Sequence, residues 1–202
     1  AKQIKLTPQI REALGVDDGV ETMTPNDLMR AVLLAPVDLF WNGGIGTYIK
    51  ASDETNAEIG DRANDAVRVD GRDLRVRVIG EGGNLGVSQR GRIEAAQHGV
   101  SVNTDAIDNS AGVDTSDHEV NIKILLADAV RDGALALEER NELLASMTDE
   151  VGSKVLRHNT DQNTLLGNAR VQGPQMLHVH RRLIADLESD GFLDHEPVSY
   201  TH

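Results

Sequence analysis

Over the first hundred residues, hydrophobic and polar positions switch repeatedly between helical and strand spacing. Apolar residues recur at helical spacing after Thr7-Pro8 and again after Thr24-Pro25. A threonine can cap a helix and a proline suits its first turn, so both pairs predict helix starts. Gly15 is expected to end the first helix. The apolar run at residues 37–41 predicts a buried strand.

The same alternation continues to residue 103. A helix is predicted from Ser52 to about Ala66, and residues 74–79 alternate as a strand would, with Leu74, Val76 and Val78 on one face. A further helix is predicted at residues 88–98 and a short strand at 100–103. Helices alternating with strands indicate a parallel sheet covered by helices.

Beyond about residue 113 only helical spacing remains. The pattern predicts helices at residues 118–129 and 138–159, and a last one that begins at Gly173-Pro174. The fold class predicted is therefore α/β: a partial parallel sheet with flanking helices, followed by an all-helical C-terminal segment. We place the boundary at Gly133, which divides the chain into 1–133 and 134–202.

Two glycine-rich loops follow predicted strands, one at residues 42–46 and one at residues 80–86. Ligands of open parallel sheets bind at the carboxyl ends of the strands, so both loops should face one crevice. Neither loop is a P-loop, and residues 80–83 match the dinucleotide fingerprint only loosely. From the residues alone, each loop is either a tight turn or part of a binding site.

The stretch from Asn103 to Glu119 is dense in short polar side chains and leads into an apolar helix. A helix start offers free backbone N–H groups and a partial positive charge, which suit an anion such as a carboxylate. Thr115 or Ser116 could cap this helix. Elaborate capping without any ligand explains the pattern equally well.

Composition excludes several function classes. The chain has 202 residues, 39% of them hydrophobic but only 2% aromatic, and its 20 basic against 33 acidic residues give a net charge of −13. That balance argues against nucleic-acid partners and anionic membranes. No apolar run reaches the roughly 18 residues of a membrane span. No export signal is recognisable, which favours a cytoplasmic location.

Metal and thiol chemistry are not expected. The absence of cysteine excludes disulfides, thiolate catalysis and cysteine-based zinc sites. His178 and His180 are two residues apart in a predicted helix, so they point in different directions and are interpreted as surface histidines.

Three strings carry a family resemblance: residues 37–48, 80–86 and 103–126. They resemble signatures of the large NAD-specific glutamate dehydrogenases of bacteria. The resemblance implies a partial Rossmann-like NAD-binding domain over 1–133 and a reaction that converts L-glutamate to 2-oxoglutarate and ammonia. It also implies NAD as cofactor, the remainder of a full-length enzyme as partner, and homo-oligomers of that enzyme.

The shorter hexameric glutamate dehydrogenases imply roles for the cofactor-facing residues. Their Glu-Gly-Ala-Asn motif is similar to residues 81–84, where Gly83 departs from alanine. The match places Asn84 beside the nicotinamide end of the cofactor. Their Asp-Ile-Leu-Ile-Pro-Ala-Ala segment is similar to residues 38–44, which implies that Gly43 and Gly44 approach the cofactor.

The same comparison implies roles for the substrate-facing residues. The hexameric Asn-Ala-Gly-Gly-Val motif is similar to residues 109–113. Asn109 would contact the cofactor or the amino-acid end of the substrate, and Val113 would line the side-chain pocket. A serine three positions later, which binds the distal carboxylate, falls on Ser116. The resemblance thus predicts that the turns after Trp41 and Ile79 and a helix opening near Ser116 form one cleft wall.

No catalytic residue is expected in this chain. In the family the catalytic lysine and aspartate lie upstream of the segment matched, as does the first strand with its pyrophosphate-binding glycines. Two alternatives stay open: a related amino-acid dehydrogenase with another side-chain pocket, and a non-catalytic nucleotide-binding or structural fragment.

Overall fold

A computed structural model of the chain describes residues 2–194, and within them short strands alternate with helices. The strands are β1 (Ile4–Lys5), β2 (Thr22–Met23), β3 (Leu39–Asn42), β4 (Ile49–Lys50), β5 (Val69–Asp70), β6 (Val78–Glu81) and β7 (Ser101–Val102). The helices are α1 (Pro8–Leu14), α2 (Pro25–Leu33), α3 (Asn56–Ile59), α4 (Gln89–Gln97), α5 (Asp105–Asp108), α6 (Ser110–Arg131), α7 (Leu137–Ser146) and α8 (Thr148–Ser189). The predicted α/β class with a helical C-terminal segment is confirmed.

The central sheet is parallel and contains three strands in the order β3-β6-β7. Phe40 pairs with Ile79, which in turn pairs with Val102. The register also sets Asn42 beside Glu81, so the carboxyl ends of β3 and β6 lie at one edge. Both glycine-rich loops therefore leave the sheet at the same place.

The core packs aliphatic side chains against this sheet. Its buried members are Leu33, Ile49, Val69, Leu74, Val76, Ile79, Val87, Ala95 and Val100. Helix α4 crosses between β6 and β7 and buries Ala95 completely. A core without aromatic rings at its centre agrees with the low aromatic content of the sequence.

Several predicted helix ends are confirmed by their capping bonds. The Thr24 hydroxyl accepts from the Asp27 N–H at 3.2 Å, and the Ser88 hydroxyl accepts from the Gly91 N–H at 3.0 Å. Gly15 and Gly99 adopt left-handed backbone, with φ of 61° and 91°. These ends depend only on neighbouring residues, which is why local patterns locate them.

The strand predicted at residues 37–41 is present as β3, but the prediction that it is buried was wrong. Strand β3 begins at Leu39, which is 54% exposed, and Trp41 is 60% exposed. The reason is that β3 forms an edge of the sheet and one of its faces is uncovered among residues 2–194. The strand predicted at residues 74–79 is only partly correct, because Leu74 and Val76 are buried outside any strand and β6 begins at Val78.

Several predicted helices differ from the observed ones, and the one predicted at residues 138–159 is divided at Met147 between α7 and α8. Ser52 does not cap a long helix; its hydroxyl donates to Glu94, while Thr55 caps the four-residue α3. A separate helix beginning at Gly173-Pro174 is also wrong, because α8 runs through Pro174 for 42 residues. Gly167 and Gly173 lack left-handed φ, so neither ends the helix. The helix continues through Pro174 even though the proline ring removes a hydrogen bond and crowds the preceding turn.

Helix α6 begins at Ser110, well before the predicted start near His118. It packs along α8, where the Asn159 amide donates to the Ile107 carbonyl and to the Ser110 hydroxyl at 3.0 and 2.7 Å. These contacts cross the proposed boundary at Gly133, which remains a prediction. The sequence also predicts a loose tail after Gly191, and residues 195–202 of that tail lie outside the described part of the chain.

Over residues 2–194, none of the helices has both the length and the apolar character that crossing a bilayer would require.

Candidate active site

The two glycine-rich loops lie against each other at the carboxyl edge of the sheet. The Gly82 N–H donates to the Asn42 carbonyl at 2.8 Å. A Cβ atom built on Gly83 would lie only 2.6 Å from the Gly44 carbonyl oxygen. Backbone therefore touches backbone here, and the two loops form one continuous surface.

Short helix α5 holds the second loop in place through two carboxylates. Asp108 accepts from the Glu81 N–H at 3.0 Å, and Asp105 accepts from the Leu85 N–H at 2.8 Å. Leu85 adopts left-handed backbone with φ of 57°, which is unfavourable for a residue with a Cβ atom. The bond from Asp105 compensates for part of that strain.

The start of α6 reaches the same surface through an amide pair. The Asn109 side-chain amide donates to the Asn84 side-chain carbonyl at 2.7 Å. The residues that the resemblance assigns to the cofactor therefore lie together at the carboxyl edge of the sheet. They are Gly43, Gly44, Asn84 and Asn109. Asn84 uses its oxygen in this pair. Its NH₂ group has no acceptor among residues 2–194.

A buried ion pair between Glu81 and Arg92 lies beneath the surface that the two loops form. Glu81 is fully buried, and one of its oxygens accepts from Arg92 Nε and Nη2 at 3.1 and 2.7 Å. Its other oxygen accepts from the Val87 N–H at 3.1 Å, and Arg92 also lies 3.1 Å from Asp105. Burial raises the pKa of the Glu81 carboxyl, and the hydrogen bonds and charge of Arg92 oppose that rise.

Asn42 belongs to the same buried layer. Its side-chain Nδ2 finds no hydrogen-bond partner within the described part of the chain. A Cβ atom built on Gly86 would lie 1.7 Å from that nitrogen, so a larger residue there would have to displace the Asn42 side chain. Sequence reasoning did not identify Asn42, Glu81, Arg92, Asp105 or Asp108 as site residues. The visible signals were an arginine inside the predicted helix at residues 88–98 and the carboxylates that follow Asn103.

The Trp41 indole covers Gly80 of β6 and Gly82, which follows that strand. A Cβ atom on Gly80 would lie 2.6 Å from the indole Cε3, and one on Gly82 would lie 2.9 Å from Cζ2. Next to the indole an open cleft of about 470 Å³ extends toward α8, with Asn103, Asp108, Asn159 and Arg170 on its wall.

Val113 and Ser116 lie further along α6, on the helix face that begins with Asn109. The spacing i, i+4, i+7 keeps these three residues on one side of the helix. Ser116 is exposed and about two helical turns beyond Asn109. The expectation that Thr115 or Ser116 caps the helix is wrong, because both residues lie inside α6 and Thr115 donates to the Ala111 carbonyl. A helix terminus therefore gives Ser116 no assistance.

The known proteins to which this chain is similar agree on one family. A sequence model of the family described as "Bacterial NAD-glutamate dehydrogenase, catalytic domain" matches residues 1–169. The proteins named NAD-specific glutamate dehydrogenase in Halomonas elongata, Mycobacterium tuberculosis and Pseudomonas aeruginosa are 54%, 52% and 50% identical to the chain. The alignments cover 97%, 96% and 96% of the chain, respectively. The chain spans only 12% of the length of each of these relatives.

Proposed function

Because the chain belongs to the bacterial NAD-glutamate dehydrogenase family, in its catalytic domain, we propose that it forms one wall of an active site that oxidises L-glutamate with NAD. The wall comprises the loops at residues 42–46 and 80–86 and the first turns of α6. When bound, NAD accepts the hydride that leaves the glutamate alpha carbon. The chain's own residues position the two reactants and fix their orientation.

The glycines of the two loops differ in their surroundings, and this difference supports a ligand at the loop of residues 42–46. In the second loop, packing inside the chain explains the glycines: Gly83 faces Gly44, and Gly86 faces Asn42. A Cβ atom on Gly43 would make only ordinary contact with Trp41, and one on Gly44 would meet nothing within 4 Å among the described residues. The absence of side chains at Gly43 and Gly44 therefore leaves room for an external group, and we assign that group as NAD.

The hydrogen bond between the Asn84 and Asn109 side chains supports a role for both residues in orienting the two reactants. Asn84 and Asn109 are joined at 2.7 Å, so each holds the other's side chain. The NH₂ group of Asn84 remains available to donate to the nicotinamide end of the cofactor. Asn109 lies at the start of the helix that carries Val113 and Ser116, so it stands between the cofactor and the glutamate side chain in this proposal.

The remainder of the enzyme is proposed to pair with the free edge of β3. The order β3-β6-β7 corresponds to one half of a doubly wound sheet, whose other half would add strands beside β3. The exposed Leu39 and Trp41 mark that edge and its uncovered face. We keep 1–133 as the partial NAD-binding domain and 134–202 as the C-terminal helical segment, of which α8 contacts the domain through Asn159.

The catalytic lysine and aspartate are proposed to come from that remainder. Lys50, Lys123 and Lys154 each lie within 3.0 Å of a carboxylate, namely Asp70, Glu119 and Glu150. They are therefore engaged in ion pairs. We expect no reduction of NAD when the chain alone is mixed with L-glutamate, as followed by absorbance of the reduced cofactor. Turnover by the chain alone would refute this assignment.

Ser116 is proposed to bind the distal carboxylate of glutamate. In the full-length enzyme that contains this chain, Ser116→Ala should raise the KM for glutamate about tenfold, because a hydrogen bond to a charged group is lost. The KM for NAD should stay within about twofold. Steady-state kinetics with each substrate varied in turn measures both constants.

The matched control is Thr115→Ala, which removes a hydroxyl that bonds to the helix backbone instead. Its glutamate KM should match that of the unmodified enzyme. An unchanged glutamate KM in Ser116→Ala would remove Ser116 from the site. A rise in the KM for leucine or valine instead of glutamate would favour the alternative of a related amino-acid dehydrogenase.

Asn84 is proposed to act on the cofactor side of the same wall. Asn84→Ala in the full-length enzyme should lower kcat/KM for NAD about tenfold at saturating glutamate, because both its own bond and the support of Asn109 are lost. Asn121→Ala serves as the control, since the Asn121 amide bonds only to the Asp117 carbonyl within α6. Equal NAD kinetics in the two variants would place Asn84 outside the site.

A further inference from the structure

A cluster of two histidines and one aspartate joins α6 to α8. Asp114 and His118 are one turn apart on α6, and His158 projects from α8. Each residue offers one ligand atom, and these atoms all lie within 4.8 Å of one another. The histidine rings are stacked, with centroids 5.9 Å apart. Neither the proposed reaction nor the family comparison assigns a role to this cluster.

We propose that Asp114, His118 and His158 form a binding site for a divalent transition metal ion of the zinc class that connects α6 to α8. Imidazole nitrogen and carboxylate oxygen are the ligands that zinc takes in cysteine-free sites. Three protein ligands are typical of zinc sites that keep a fourth position open. The three proposed ligands differ from the residues assigned to NAD and glutamate, but the cavity beside them shares Val113 with the proposed substrate pocket.

The three side chains are close enough to reach one ion if they rotate. Ligand bonds of about 2.0–2.1 Å place neighbouring ligand atoms of a tetrahedral site about 3.3 Å apart. Asp114 Oδ1 and His118 Nε2 are already 3.4 Å apart. His158 Nδ1 is 2.7 Å from the other oxygen of the same carboxylate, Oδ2, so the carboxylate would have to turn until one oxygen faces both imidazole nitrogens.

The protein environment also favours a cation. His118 Nε2 is shielded from solvent and has no hydrogen-bond partner within residues 2–194, although its ring stands beside Asp114. A cavity of about 350 Å³ lies next to the cluster, with Ser110, Val113, Asp117 and Gln162 on its wall. The open coordination position would face this cavity, and the carboxylate of Asp117 adds negative charge to it.

Cobalt(II) is the probe for this site, because it replaces zinc in tetrahedral sites and absorbs visible light. Titration of the untagged chain should give a visible band that saturates at one ion per chain and is displaced by zinc. His118→Gln and His158→Gln should each raise the cobalt Kd at least about tenfold, since each removes one of three ligands. His178→Gln, which changes an exposed histidine elsewhere on α8, should leave the Kd unchanged.

A stability measurement provides a second readout. Zinc should raise the Tm of the unmodified chain and of His178→Gln, because an ion bound to the folded state stabilises it. It should not raise the Tm of Asp114→Asn, which keeps the size of the side chain and covers the case in which a histidine variant fails to fold. Absence of a saturable band, or equal cobalt affinity in the unmodified chain and His118→Gln/His158→Gln, would overturn the proposal.

Discussion

Arg92→Ala should lower the free energy of unfolding of the chain by about 3–5 kcal/mol, the largest effect of any single substitution considered. The substitution leaves the fully buried Glu81 carboxylate without the two hydrogen bonds that Arg92 donates. It also removes the contact between Arg92 and Asp105, which holds the loop at Leu85. Urea denaturation followed by circular dichroism measures the change.

Arg90→Ala is the matched control, since Arg90 lies on the same helix. Its ion pair with Asp53 is more than half exposed on both sides, so its loss should cost less than about 1 kcal/mol. The double variant Glu81→Leu/Arg92→Met should recover much of the stability, because no buried charge is left unpaired. A loss below about 1 kcal/mol in Arg92→Ala would show that Glu81 is not held by this pair.

Gly83→Ala should have the next largest effect, a loss of about 2–3 kcal/mol of unfolding free energy. Its Cβ atom would lie 2.6 Å from the Gly44 carbonyl oxygen, and a backbone oxygen cannot rotate away as a side chain can. The two loops would have to separate. The contact gives a physical reason for glycine at this position, where the hexameric enzymes have alanine.

Gly44→Ala tests the other side of the same contact. Its Cβ atom would point into open space among the described residues, so the free energy of unfolding should change by less than about 0.5 kcal/mol. In the full-length enzyme, however, Gly44→Ala should weaken NAD binding, because the proposed cofactor approaches there. Equal losses of stability in the two variants would contradict the packing argument, and unchanged NAD affinity in Gly44→Ala would contradict the cofactor assignment.

These substitutions distinguish two uses of glycine that look identical in a sequence. The loops at residues 42–46 and 80–86 could each have been a tight turn or a binding site. Contacts with Trp41, Gly44 and Asn42 explain the second loop by internal packing. Comparable close contacts are missing at Gly43 and Gly44 within residues 2–194, and this difference favours an external ligand there.

Local features of the sequence were sufficient for the fold class and for several helix ends. Thr24, Ser88, Gly15 and Gly99 act on backbone groups within a few residues of themselves, so their effects are independent of the rest of the fold. The family resemblance was also readable from continuous strings of residues. The parallel arrangement of β3, β6 and β7 followed from the alternation of helices and strands.

Only the tertiary structure decided which side chains are buried and which ones meet. Trp41 looked like a core residue but lies on an uncovered face, and Ser52 looked like a helix cap but bonds to Glu94. Glu81 and Arg92 form a buried pair, and His158 meets Asp114 across two helices. The energy of burying a group depends on neighbours far away along the chain, which local spacing does not contain.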